Sequence, residues 1–534
     1  MNAFESVLIG GTWRASQDAR ASFRAFDPTS GEEIGPQFPL SGAADIEAAL
    51  AAASEAAIAL AACAPERIAG FLDAYAAAIE ADAETLVNLA HAETALPREP
   101  RLAKVELPRT TNQLRQAAQA VRTSSWTQPT IDTHAGLRSH FAPLTKPVVV
   151  FGPNNFPFAF NAVAGSDFAS AIAAQNPVIA KAHPAHPATS RRLAYLAHLA
   201  VLDAGLPAAS VQMLYDFDYT LGAGIAGDAR VGAIGFTGSR AGGLALKAAA
   251  DAAGVPIYAE MSSVNPVFLL PGALAERGAE LAQEFFASCT LGSGQFCTNP
   301  GVMVVPQGAH GDAFVAAASR LFTDAPASVL FSQHVRNQFR RGLAALVDAG
   351  AQVLAHGRDS AEAGYRQAPA LLGVDARQFL AATQALMTEV FGPASLIVRA
   401  SGIAEMVAIA RALDGNLTGT LYTSKQDRID DDAATEIARA LRPRIGRLIG
   451  NKMPTGVAVS AAMNHGGPYP ATSHSGFTAV GMPTAIRRFA ALHSYDQVPP
   501  RLLPEDLRDA NPRGFQRLVD GVWTTANVAA GETS

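Results

Sequence analysis

One stretch of the chain combines a nucleophile with backbone able to activate it: Gly294-Gln295-Phe296-Cys297-Thr298-Asn299-Pro300-Gly301. A thiol attacks as thiolate, which requires partial exposure and nearby donors or positive charge. A tight glycine-flanked turn ahead of a buried run presents N–H groups for that purpose. Most free cysteines are small core hydrophobes, and the chain has three, Cys63, Cys289 and Cys297. Cys289 falls in an apolar helical pattern with Phe285 and Phe286, and Cys63 in an Ala-rich helical region, so both read as packing. A carboxylate, Glu260, follows the strand-like run Val255-Pro256-Ile257-Tyr258-Ala259. There it can face a cleft and activate water as a general base. A side-chain amide, Asn155, follows the buried run Val148-Val149-Val150-Phe151 and precedes a helical segment. It can donate to a developing oxyanion beside the Cys297 backbone N–H. Its competing reading is turn chemistry, because Pro153-Asn154-Asn155 is an ordinary turn signal. Thiol, amide and carboxylate together point to covalent chemistry on a carbonyl.

These residues need elements to bring them together. Short apolar runs around Val149, Ile179, Gln212 and Ile234 alternate with helical periods over 159–174, 188–204 and from Ser239 to Ala253. That alternation predicts parallel βαβ units in an α/β fold, and such sheets bind ligands at the carboxyl ends of their strands. A second α/β alternation begins near Val267 and runs to about Gly467. Residues 43–120 read as Ala-rich helices broken near Pro65 and Pro97. Residues 124–148 read as a strand pair, the first forty residues as short strands with turns, and the tail from Ser473 as less regular.

The first sheet carries further candidates. Lys181 ends a buried strand, where it can meet a cofactor's ribose or phosphate; a snorkelling surface lysine fits equally. The turn Phe236-Thr237-Gly238-Ser239 heads a helix, and Gly238 and Ser239 make it a good anion site. Glu389, in Thr388-Glu389-Val390-Phe391, can accept from ribose hydroxyls or cap a helix. No Gly-x-Gly-x-x-Gly follows the first strand, so the usual dinucleotide fingerprint is missing. No metal site is expected, because prolines break any regular face in His183-Pro184-Ala185-His186-Pro187.

Bulk properties narrow the class. At 534 residues the chain needs two or three domains. Apolar residues make up 49 % and charged ones 16 %, which suits a globular enzyme with large buried interfaces. The net charge of −6, with no basic stripe, argues against nucleic acid as partner. Residues 1–14 lack a signal-peptide pattern. No apolar run is long enough to span a bilayer, and the scattered cysteines suit a reducing compartment. A cytoplasmic location without membrane contact is expected.

Taken together, the motifs resemble the aldehyde dehydrogenase superfamily over nearly the whole chain, from about Val7 to Asp496. The resemblance implies Cys297 as nucleophile, Glu260 as general base and Asn155 as oxyanion donor. It implies cofactor contacts at Lys181, Gly238, Ser239, Glu389 and Phe391, with NADP or NAD as cofactor. The implied fold has two Rossmann-like α/β domains and a β-arm. These are a cofactor domain over 1–126 and 149–262, a catalytic domain over 263–467, and an oligomerisation arm with C-terminal tail over 127–148 and 468–534. The arm, Thr127 to Leu144, would be an edge strand, and a homodimer or homotetramer is implied. The family's usual Glu-Leu-Gly-Gly-Lys-Asn-Pro reads Glu260-Met261-Ser262-Ser263-Val264-Asn265-Pro266 here, so cofactor placement can differ.

A narrower match lies in Lys181–Pro187, Gly235–Gly243, Ser263–Phe268 and His465–Thr472. These resemble the 2-oxoglutarate semialdehyde branch, which implies a small aldehyde with a remote carboxylate. A related branch uses fatty aldehydes. An enzyme passing its thioester to coenzyme A and a non-catalytic dinucleotide-binding scaffold are the other readings; Glu260 argues against the first. For the substrate carboxylate, Arg109 and Gln113 share a helix face and could point into the substrate tunnel, lined also by Gln295, Phe156 and Phe296. A surface salt bridge at Arg109 fits equally. Pro184 after Lys181 permits NADP, whereas Asp216 and Asp218 follow the next strand with no arginine to attract a phosphate.

Overall fold

In a computed structural model, residues 4–19 and 21–528 are described. The apolar runs form sheets because they are buried on both faces, as crossover helices require. Val148–Phe151 is buried throughout. It lies inside a seven-stranded sheet whose order is Ile257–Glu260, Ala233–Thr237, Val148–Phe151, Val178–Lys181, Val211–Leu214, Val7–Ile9 and Thr12–Arg14. The first five strands are mutually parallel, and Val7–Ile9 runs antiparallel to both of its neighbours, Val211–Leu214 and Thr12–Arg14. Chain order reverses between Val148–Phe151 and Ala233–Thr237, which makes that boundary the switch point where α/β sheets take ligands.

A second seven-stranded sheet is ordered Gln352–His356, Ala370–Asp375, Ala394–Ala400, Val302–Pro306, Val267–Leu269, Asn416–Tyr422 and Ile445–Gly450. Only its first strand runs antiparallel. The link between the sheets is short: Glu260 ends one edge strand and Val267 opens an inner strand of the other. That link brings the carboxyl edge of the first sheet near the turn that enters Val302–Pro306.

Two expectations change. Residues 159–165 are turns, and the helix there is only Ser166–Ala173. Asn161 holds the turns with its amide, donating to Pro157 O at 2.9 Å and accepting from Val163 N at 3.0 Å. A side chain that bonds its own neighbourhood competes with helix formation. The arm strand Leu137–Pro143 is also no edge. It is flanked by Ala490–Asp496 and Thr130–Asp132 in a five-stranded sheet that Arg517–Val519 and Val522–Thr524 complete. The tail therefore supplies three strands that its irregular sequence hid, and the edges fall on Ala490–Asp496 and Val522–Thr524. Residues 529–534 of the expected tail lie outside the described residues. No single helix among the described residues is long and apolar enough to cross a membrane.

Before reaching the arm sheet, the tail crosses the molecule as an irregular strap over 465–489. Arg488 pins it: Nη1 lies 2.8 Å from Asp167 Oδ1, with side chains only 2 % and 9 % exposed. Phe477 and Phe489 cover the guanidinium at 5.0 and 4.8 Å. Breaking one side of a buried pair strands the other charge, at about 3–5 kcal/mol. Arg488→Ala should therefore lower the denaturant midpoint markedly in equilibrium unfolding; an unchanged midpoint would show that the strap is held elsewhere.

Candidate active site

Each functional side chain is delivered by the end of an element. Cys297 sits in the turn between the helix Pro271–Thr290 and the strand Val302–Pro306. The turn is entered through three successive left-handed residues, Gly292, Ser293 and Gly294. Glycine is required at 294, because a Cβ there would lie 2.2 Å from the Gly392 carbonyl oxygen. The Cys297 backbone N–H takes no partner among the described residues.

Asn155 is 5 % exposed and donates one amide hydrogen to Gln295 O at 3.0 Å. A side-chain amide has two hydrogens, so one is left beside the nucleophile's turn. The loop around Asn155 is braced on several sides. Buried Glu106 accepts from Phe158 N at 2.8 Å and Ala159 N at 3.0 Å and pairs with Arg101. Arg101 Nη2 donates to Asn155 O at 3.1 Å, and His186 Nε2 faces Pro153 O at 3.0 Å.

Glu260 ends its edge strand with 1 % exposure. Its Oε1 lies 3.1 Å from His465 Nε2, and the same nitrogen lies 3.5 Å from Cys297 Sγ. All three donor atoms fall within 4.8 Å of one another. Glu260 Oε2 is buried and has no partner among the described residues. Burial pushes the Cys297 thiol well above the usual thiol range, and the neighbouring Glu260 carboxylate pushes it further. The resting thiol therefore keeps its proton, with carboxylate and imidazole next to it to receive it. His465 is the site residue that sequence reasoning missed. Its run, His465-Gly466-Gly467-Pro468, has no period to place it, and only its recurrence in a family motif marked it.

The other candidates divide. Phe296 and Phe156 meet edge to face at 5.7 Å, and Phe156 and Phe160 at 5.2 Å. With Phe477, Ala479 and Val480 they make one apolar wall. Arg109 stacks its guanidinium over Phe156 at 5.4 Å and Phe160 at 5.0 Å. Its Nε and Nη2 are buried without partners among the described residues. Burial lowers its pKa, while the charges of Glu106 and Glu260 oppose that. Gln113, by contrast, donates to Ala159 O at 3.0 Å and braces the loop. Gln295 is likewise used internally, accepting from Phe331 N at 2.9 Å. Cys289 is fully buried, and burial pushes its thiol up to about 12. Cys63 packs half-buried against the core.

On the cofactor side, Lys181 and Ser239 stand at the carboxyl edge of the first sheet, flanking the switch point. Ser239 caps the helix Arg240–Ala253, accepting from Gly242 N at 3.2 Å. Gly243 leaves the helix face bare where a Cβ would lie 2.9 Å from the Met261 side chain. Glu389 and Phe391 line one cavity with Ser263 and Phe296. Burial pushes the Glu389 carboxyl up to about 7, against bonds from Ser262 and Ser263. His183 and His186 stack their rings at 5.4 Å.

Comparison with known proteins gives the chain a family. Residues 13–493 match the aldehyde dehydrogenase family. The chain is 41 % identical over 532 residues to alpha-ketoglutaric semialdehyde dehydrogenase 2 of Azospirillum brasilense, covering 96 % of this chain and 98 % of that one. It is 37 % identical over 472 residues to an alpha-ketoglutaric semialdehyde dehydrogenase of Acinetobacter baylyi, covering 85 % and 87 %. Among solved structures, Escherichia coli lactaldehyde dehydrogenase superposes with a TM-score of 0.79 at 21 % identity, over 92 % of this chain and 98 % of that one. Aldehyde dehydrogenase C of Pseudomonas syringae, solved with NAD+ and octanal, gives 0.78 at 20 % identity, over 93 % and 98 %. These two likenesses concern the fold; the family match and the sequence relatives establish that this chain belongs to the aldehyde dehydrogenase family.

Proposed function

We propose that the chain oxidises 2-oxoglutarate semialdehyde to 2-oxoglutarate through a thioester on Cys297. The observation that carries the chemistry is the contact of Cys297 Sγ, His465 Nε2 and Glu260 within 4.8 Å. What favours this substrate is the name of two relatives at 41 % and 37 % identity together with a buried arginine whose donors are free.

The steps follow from the residues. The thiol passes its proton to the Glu260–His465 pair, which releases it to solvent before the second half of the reaction, and attacks the aldehyde carbon. The developing oxyanion takes hydrogen bonds from the second Asn155 amide hydrogen and the Cys297 backbone N–H. A bound nicotinamide dinucleotide supplies the acceptor for the hydride. The residues that fit such a group are Lys181, Gly238 and Ser239 at the sheet edge, with Glu389 and Phe391 opposite. Glu260, through its unpartnered Oε2, then takes a proton from the water that attacks the thioester. His465 keeps that carboxylate aimed. Arg109, set against the aromatic wall, pairs with the remote carboxylate so that the aldehyde end meets the thiol.

Three further readings accompany this one. A small aldehyde is the only partner required, with no nucleic acid or membrane. Three free cysteines suit a reducing, cytoplasmic setting. The arm sheet, with the exposed edge residues Leu492 and Trp523, suits assembly into a homodimer or homotetramer.

Two measurements test the proposal. Cys297→Ala should abolish aldehyde-dependent cofactor reduction, whereas Glu260→Gln should keep a first-turnover burst and lose about 10²- to 10⁴-fold in steady rate. A full steady rate in Glu260→Gln would remove it as base. Arg109→Leu should raise KM for the carboxylate-bearing aldehyde about ten- to hundredfold and leave the KM for pentanal nearly unchanged. An equal rise for both would make Arg109 a packing residue.

A further inference from the structure

The strand Val178–Lys181 runs parallel to Val211–Leu214, with Lys181 opposite Leu214. Just past that neighbour the carboxylate of Asp216 reaches back toward the lysine. Its Oδ1 lies 2.5 Å from Lys181 Nζ, with side chains 17 % and 30 % exposed for lysine and aspartate. The backbone around it is anchored. Asp216 O accepts from Ser41 N at 2.8 Å, and Asp218 caps the helix Tyr219–Ala226 by accepting from Leu221 N at 2.8 Å. Between the two aspartates, the Phe217 ring lies 5.7 Å from Lys181 Nζ and packs edge-on against Phe151 at 6.2 Å. The aspartate is therefore presented by fixed structure to the one lysine that ends the cofactor edge of the sheet.

This pair has a chemical preference. A ribose 2′-hydroxyl can donate to the carboxylate and accept from the ammonium at once, the pairing by which acidic residues recognise an unphosphorylated ribose. A 2′-phosphate brings roughly 1.5 to 2 negative charges to a lysine already neutralised by its neighbour. It would meet the Asp216 carboxylate in a half-buried place, where repulsion is poorly screened. The histidines beyond Lys181 give no compensation, because burial lowers the pKa of His183 and of His186 and keeps both rings neutral. Pro184, which cannot repel a phosphate, is then irrelevant: the discriminating carboxylate comes from the next strand instead.

We infer that Asp216 makes this chain select NAD over NADP, by engaging Lys181 and opposing a 2′-phosphate. The inference rests on the dinucleotide reading of the first sheet and names which dinucleotide that site takes.

The test is binding of NAD and of NADP to the full chain, measured by isothermal titration calorimetry without aldehyde. The unaltered protein should bind NAD at least about tenfold more tightly than NADP. Asp216→Asn, which keeps the shape and removes the charge, should shift that ratio toward NADP by about tenfold. Asp218→Asn, which touches a helix cap and not Lys181, should leave the ratio where it was. Equal affinities in the unaltered protein, or a ratio that Asp216→Asn does not move, would overturn the inference. Failure of both nucleotides to bind would instead remove the dinucleotide reading beneath it.

Discussion

A carboxylate buried beside a thiol sets the terms for the rest of this fold. Glu260 is 1 % exposed, and an unpartnered buried charge costs several kcal/mol. His465, 3.1 Å away, is the partner that offsets the cost, and it lies on neither sheet. It comes from the strap, which must therefore be fixed against the strand that ends in Glu260. Met261 N donates to Ala471 O at 2.8 Å, and Ala259 N to Ser473 Oγ at 2.8 Å. His465 itself is held by its backbone N to Thr478 Oγ1 at 3.0 Å and by Ala479 N to its carbonyl at 2.8 Å. The tail thus closes the site before it builds the arm. The buried Arg488–Asp167 pair further along the strap serves the same end.

What could be read from the sequence followed what periodicity encodes. Val148–Phe151, Val178–Lys181 and Val302–Pro306 are short apolar runs buried on both faces, and their pattern announces strands whatever lies around them. Cys297, Glu260 and Asn155 were legible because each follows or precedes such a run. Two features were not. Residues 159–165 carry the composition of a helix, yet Asn161 and the tight approach of Gly165 to Phe160 turn the chain instead. That approach lies within the turn itself, where hydrophobic periodicity gives no signal. His465 and the three tail strands were hidden for a related reason. Glycine and proline punctuate the strap, so its conformation is decided by what it touches and not by its own propensity.

The substituted link between the sheets shows why a departure from a family pattern need not weaken a site. Ser263 Oγ donates to Asn265 Oδ1 at 2.9 Å and accepts from Leu417 N at 3.0 Å. Asn265, in a left-handed conformation that asparagine tolerates, donates to Cys297 O and Asn299 O, each at 2.9 Å. Asn416 Oδ1 accepts from Val264 N at 2.9 Å. A glycine at 263 would offer no hydroxyl for this network. The serine therefore ties the nucleophile's turn to the strand Asn416–Tyr422, and its neighbour Ser262 gives Glu389 a side-chain hydrogen-bond donor.

The charges around the thiol are sorted in a way that gives the site polarity. Glu260 and Glu389 lie on the side of the thiol, where each works against ionisation of Cys297. Two arginines gather against the aromatic wall: Arg101 stacks 4.5 Å over Phe156 and Arg109 5.0 Å over Phe160. Arg101 is already paired with Glu106, whereas among the described residues Arg109 has no carboxylate partner and keeps two buried donors, Nε and Nη2, free. In the proposed reaction a substrate anion is drawn to the arginine side of the site and refused at the carboxylate side. Its neutral, electrophilic carbon is left to face a thiol that gives up its proton only when the reaction needs it.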